Sequence, residues 1–168
     1  MTRPVRLAIS GASGRMGCAL LSLLGDDARF ELVHAVVAPG SAHAGQPVFA
    51  GGTDSLRYAH DWTHAPALDV VIDFSGPAGL ALALDHCLAH GKALVSGTTG
   101  IDAALETRLV DSGKSIAILR AANFSLGVAV LTRLLREAAT ALPGWDLEIV
   151  EMHHSRKQDA PSGTALAL

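Results

Sequence analysis

The stretch that decides the fold is VRLAISGASGRMGCALLSLLG, residues 5–25. Its first six residues are short, mostly apolar and closed by a glycine, as expected of a strand buried on both faces of a parallel sheet. Leu20, Leu21, Leu23 and Leu24 then sit among helix formers, and Gly25 reads as the stop. Between strand and helix stand Gly11, Gly14 and Gly17. A glycine at the first position permits the tight strand-to-helix turn, the second lets the backbone approach a pyrophosphate, and the third lets the helix lie against the sheet. Unpaired amides at the helix N-terminus then face the phosphates. Three glycines in a loop are weak evidence alone. A strand before them and a helix after them make a dinucleotide loop a better reading than a plain turn.

Outward from this unit, the chain alternates. FELVHAVV (30–37), LDVVIDFS (68–75), the start of KALVSGTTG (92–100), SIAILRAANF (115–124) and WDLEIVEMHH (145–154) read as strands. A helix from Pro77 to about His90, one from Asp102 as cap to Gly113, and a long apolar one over 125–142 separate them. DSLRYAHDW (54–62) reads as a weak helix. Alternation at this spacing predicts an α/β fold, a Rossmann-type doubly wound parallel sheet. A boundary at residues 123–127 divides a dinucleotide-binding domain, 1–124, from a second region, 125–168.

Composition narrows the function. Charged residues make up 17% and apolar residues 49%, which excludes a disordered chain. A net charge of -3 and 4% aromatics offer neither a basic field nor a stacking platform for nucleic acid. No run of 18 apolar residues suggests a membrane span, and no secretory leader is visible, so the expected compartment is the cytoplasm. Cys18 and Cys87 lack metal-ligand spacing and read as free core thiols.

A dinucleotide site usually carries an acidic residue at the end of its second strand. Here that end is Val36-Val37-Ala38-Pro39. Glu31 has the right separation from Gly11 but starts the strand, roughly 20 Å from its far end at about 3.3 Å per residue, and is rejected. No arginine replaces it, so the choice between NADH and NADPH stays open. DFSGP (73–77), GTTG (97–100) and AANFS (121–125) fall after further strands, on the edge where open sheets bind ligands.

The chain ends EMHHSRKQDAPSGTALAL, residues 151–168. Two histidines, Arg156 and Lys157 precede a helix start at Ser162 to Thr164, a grouping suited to an anionic ligand and a proton transfer. Adjacent histidines on a strand point to opposite faces and no third ligand is near, so no metal site is expected. His34, His43, His60, His64, His86 and His90 read as surface or structural residues.

GASGRMG, IDFS-P, GTTG, AANFS-GV and above all HHSRKQDAPSGTA resemble the 4-hydroxy-tetrahydrodipicolinate (dihydrodipicolinate) reductase family, in order along nearly the whole chain. The resemblance implies reduction of a small cyclic dicarboxylate with NADH or NADPH in lysine and diaminopimelate biosynthesis. It implies His153 and Lys157 as the catalytic pair, and His154, Gly163 and Thr164 as substrate contacts. Gly11, Ala12, Ser13, Gly14, Arg15, Met16, Gly97, Thr98, Thr99, Ala121, Ala122, Asn123 and Phe124 match the family's cofactor contacts. Residues 125–168 then correspond to the first part of an α+β substrate-binding domain, which in the family continues past the S-G-T motif; the expectation is a truncated chain. Full-length members are expected to be homo-oligomers. An active reductase and a non-catalytic nucleotide-binding remnant of the same family both remain open at this stage.

Overall fold

In a computed structural model, which describes residues 3–25, 27–49, 56–153, 155 and 160–168, VRLAIS forms strand β1 (Val5–Ser10). The chain divides into two compact units, Met1–Arg120 and Ala121–Leu168. In the first, β1 leads into α1 (Arg15–Leu24), β2 (Phe30–Val36), β3 (Tyr58–Ala59), β4 (Val70–Asp73), α2 (Pro77–His90), β5 (Ala93–Ser96), α3 (Ala103–Ser112) and β6 (Ile118–Arg120). The strands form one sheet in the order β3-β2-β1-β4-β5-β6, and every pairing is parallel. This is the doubly wound order in which the chain reverses direction across the sheet beside β1.

Successive side chains of a strand point to opposite faces, and here both faces are covered. Leu7, Ile9 and Ala35 pack with Leu21 of α1, while Ala8, Val71 and Leu94 pack with Leu80, Leu84 and Cys87 of α2 and Leu109 of α3. The two-faced burial explains why these strands are continuous apolar runs. Pro77 opens α2 at its first turn, and Gly91 closes it in the left-handed region at φ 62°, where a side chain would be strained. Asp102 caps α3 by accepting from the Leu105 amide at 2.8 Å.

Two elements differ from the sequence expectation. Within 54–62, where a helix is expected, residues 58–59 form β3, in register with Ala35 and Val36; residues 54–55 lie outside those described. The Tyr58 amide donates to the Gln46 carbonyl at 3.0 Å and the Tyr58 side chain packs on the α1 side of the sheet, so sheet pairing overrides a weak local helix preference. Cys18 is exposed on α1 rather than in a core, whereas Cys87 is buried.

The second unit holds α4 (Leu126–Ala141) and α5 (Gly163–Ala167). The helix expected over 125–142 is therefore present, but it buries none of its residues. The strand expected over 145–154 is not formed in its described part: residues 145–153 have no ladder partner. A strand is held by its neighbours, and here Trp145, Val150 and Met152 are instead exposed at 75%, 87% and 93%.

Candidate functional site

The glycine loop is built as its spacing requires. Gly11 has φ 79°, and a Cβ there would lie 2.5 Å from the Phe74 carbonyl oxygen. A Cβ on Gly17 would fall 2.3 Å from the Gly11 carbonyl oxygen, so α1 can rest on the loop only without one. Gly14 is the N-cap of α1 with no side-chain cap, at φ −75°. Its φ would suit any residue, but a Cβ would lie 3.2 Å from the Gly11 carbonyl oxygen, so a side chain there needs a small shift of the loop. What it would fill is the space in front of the first helical turn.

That space is a cleft of about 470 Å³ at the carboxyl ends of the central strands. Gly11, Ser13 and Gly14 line it from the first loop, and Val36 to Pro39 from the end of β2. Phe74, Ser75 and Gly76 line it from the β4–α2 loop, Pro77, Ala78 and Leu82 from α2, and His60 and Trp62 from the segment after β3. Of the other expected contacts in this loop, Arg15 and Met16 are exposed, while Ala12 is fully buried and its amide donates to the Val36 carbonyl at 2.9 Å. Glu31 sits at the start of β2 and pairs with Arg6 at 3.3 Å, away from the cleft.

Behind the cleft lies Asp73, fully buried at the end of β4. Its Oδ2 accepts from the hydroxyls of Ser96 at 2.8 Å and Thr98 at 2.7 Å, and its Oδ1 from the hydroxyl of Ser75. One carboxylate thus ties the β4–α2 loop to the β5–α3 loop. Thr98, expected as a cofactor contact, spends its hydroxyl on this network. Gly97 lies under the Phe74 ring, where a Cβ would be 2.1 Å from a ring carbon. Thr99 is exposed. The sequence signal for the network is a strand-terminal aspartate with serine or threonine at matching positions on both loops. Burial pushes the Cys87 thiol, beneath this region, up to about 12, which leaves it unreactive.

In the second unit, the Asn123 amide nitrogen donates to Thr164 Oγ1 at 2.9 Å, while Asn123 Oδ1 accepts from the Ser125 amide at 2.7 Å. Two residues expected in different roles are thereby joined directly. Ser162 caps α5, its hydroxyl accepting from the Ala165 amide at 3.0 Å, and Gly163 opens the helix. Glu151 accepts from the Ser162 amide at 2.7 Å and lies 3.6 Å from His153 Nδ1. Glu151 was not singled out by sequence; its signal is its position two residues before His153. Ala122 and Phe124 are exposed and Ala121 is half-buried. His154 and Lys157 lie outside the described residues.

Residues 5–124 match the family described as dihydrodipicolinate reductase, N-terminus, and residues 127–168 match dihydrodipicolinate reductase, C-terminus. The chain belongs to the dihydrodipicolinate reductase family. A 4-hydroxy-tetrahydrodipicolinate reductase of Xanthomonas campestris pv. campestris (strain B100) is 51% identical over 170 residues, covering 99% of this chain and 68% of that relative. One from Xylella fastidiosa (strain 9a5c) is 47% identical over 167 residues, covering 98% and 67%. Among solved structures, a dipicolinate-bound dihydrodipicolinate reductase from Paenisporosarcina sp. TG-14 superposes with TM-score 0.73 at 26% identity, over 98% of this chain and 63% of that one. The chain thus spans about two thirds of the length of the reductases it matches.

Proposed function

We propose that this chain reduces 4-hydroxy-tetrahydrodipicolinate to tetrahydrodipicolinate with NADH or NADPH, in lysine and diaminopimelate biosynthesis in the cytoplasm. The observation that carries the reading is the glycine cradle opening on a cleft at the strand ends, in a chain 51% identical to a reductase of that name. The cradle fits a dinucleotide: Gly14 leaves the front of α1 clear, and no side chain caps that helix. Ser13, Gly14, Arg15 and Met16 would hold the pyrophosphate, with Gly11 and Ala12 shaping the turn beneath it. Thr99, exposed on the β5–α3 loop, extends the cofactor contacts, and Thr98 holds that loop in shape through Asp73. When bound, the dinucleotide supplies the hydride.

The substrate is a cyclic dicarboxylate, the chemistry of the dipicolinate bound to the Paenisporosarcina enzyme. His154, Gly163 and Thr164 bind it, and the Asn123–Thr164 hydrogen bond fixes the threonine hydroxyl. Loss of the 4-hydroxyl with a ring proton, as water, gives the conjugated ring, and hydride addition to that ring leaves carbanion character that must be protonated. His153 and Lys157 supply that proton, and Glu151 beside His153 orients the imidazole. Residues 1–124 form the cofactor domain and 125–168 the first part of the substrate domain.

The test is consumption of reduced nicotinamide with 4-hydroxy-tetrahydrodipicolinate by the chain extended to the length of the reductases it matches. Turnover is expected, falling by roughly 10²–10⁴-fold in Lys157→Ala and in His153→Ala. Thr164→Val is expected to raise the Michaelis constant with little change in kcat. Undiminished turnover in Lys157→Ala would remove it from the catalytic pair.

A further inference from the structure

The end of β2 carries nothing to grip a ribose: Val37 is buried, and Ala38 and Pro39 offer no polar side chain. The neighbouring strand does. β3 runs parallel to β2 with Val36 opposite Ala59, and the Val37 amide donates to the Ala59 carbonyl at 2.8 Å. The residues that follow the two strands therefore leave the sheet side by side. The residue after Ala59 is His60, and it lines the cleft. No carboxylate lines the cleft among the described residues, and His60 is the ionisable side chain that does.

Trp62, two residues on, lines the same cleft and packs against two histidines. Its ring stacks on His86 of α2 at 4.7 Å and 26°, and lies against buried His34 at 5.5 Å. The intervening Asp61 is tied down: its carbonyl pairs with His34 Nε2 at 2.9 Å, and its carboxylate accepts from the Thr63 amide at 3.0 Å. The other Asp61 oxygen stands 3.2 Å from His60 Nε2, so in the imidazolium form Nε2–H faces Asp61 and Nδ1–H is left to donate. An aromatic wall suits the flat face of a purine, and a nitrogen donor beside the end of β2 suits a phosphate ester on the adjoining ribose.

We propose that β3 rather than β2 recognises the adenosine half of the dinucleotide, with Trp62 as the wall for adenine and His60 as partner of a 2′-phosphate, so that NADPH is preferred to NADH. This rests on the dinucleotide reading of the cleft. The test is calorimetry with ADP-ribose and 2′-phospho-ADP-ribose, which lack nicotinamide and report binding without turnover. The wild-type chain is expected to bind the phosphorylated ligand about tenfold more tightly, the scale of one charge-assisted hydrogen bond. His60→Ala, a change at an exposed position, is expected to abolish that difference while leaving ADP-ribose within about twofold. Trp62→Leu is expected to weaken both ligands about tenfold or more, as loss of a stacking partner does. Circular dichroism confirms that each variant is folded, and His60→Ala alone decides the specificity claim. Equal affinities for the two ligands in the wild type, or an undiminished preference in His60→Ala, would overturn it. Failure of the wild type to bind either ligand would instead remove the dinucleotide reading itself.

Discussion

Asp73 shows how one side chain can shape a site it does not line. Its carboxylate is fully buried and has three hydroxyl partners. An amide in its place would keep one acceptor for Ser96 and Thr98 but set an NH2 group against the Ser75 hydroxyl and backbone amide, which both donate to Oδ1. Asp73→Asn is expected to lower stability by about 1–3 kcal/mol, read as a lower urea midpoint at unchanged slope, and to weaken dinucleotide binding. Unchanged stability would mean that the two loops hold their shape without the carboxylate. The glycines were legible because their roles are set by backbone geometry: Gly11 needs its positive φ, and Gly17 has no room for a Cβ. Asp73 and His60 were not. Their roles come from neighbours distant in the chain, such as Thr98 against Asp73, and no spacing rule supplies those pairings.

At the scale of elements, β1 is anchored at its start by Asp69, just ahead of β4. Asp69 Oδ2 accepts from the Arg6 amide at 2.9 Å, and the Arg3 guanidinium holds both carboxylate oxygens, at 2.7 and 2.8 Å. The Arg3 hydrogen bonds, and then that from the Arg6 amide, hold the Asp69 carboxyl well below the usual carboxylate range. Because the folded value is depressed, the contribution is present above the unfolded value of about 4 and is lost as the pH falls below it. The urea midpoint is expected to drop as the pH is taken from about 5 towards 2, and Asp69→Asn is expected to flatten that dependence. A variant as acid-sensitive as the wild type would place the effect elsewhere. The same scale separates elements that patterning could find from those it could not. β1, β4 and β5 are buried on both faces and read as apolar runs. β3 has two residues, too few for any periodicity, and is held by pairing with β2. Residues 145–153 have strand-like alternation, but alternation alone does not supply a partner.

Across the whole molecule, the first unit has its sheet covered on both faces, while in the second α4 buries none of its residues. The fold class was legible because strand–helix alternation survives small errors at element ends. The candidate substrate site was legible through the resemblance of HHSRKQDAPSGTA to one family, not through any periodicity. The central claim is that a nicotinamide dinucleotide lies across the strand ends of the first unit, on the glycine cradle. Mapping amide resonances of the isotope-labelled chain during titration with NADPH tests it most directly. The account predicts that the amides of residues 11–17, 37–38, 60–62, 75, 76 and 78 move together and saturate at one concentration, and that Gly14→Val, whose φ of −75° suits any residue and whose Cβ meets the Gly11 carbonyl oxygen at 3.2 Å, abolishes those movements in a protein that circular dichroism shows to be folded. Saturable binding that leaves residues 11–17 unmoved, or movements that persist in Gly14→Val, would contradict it.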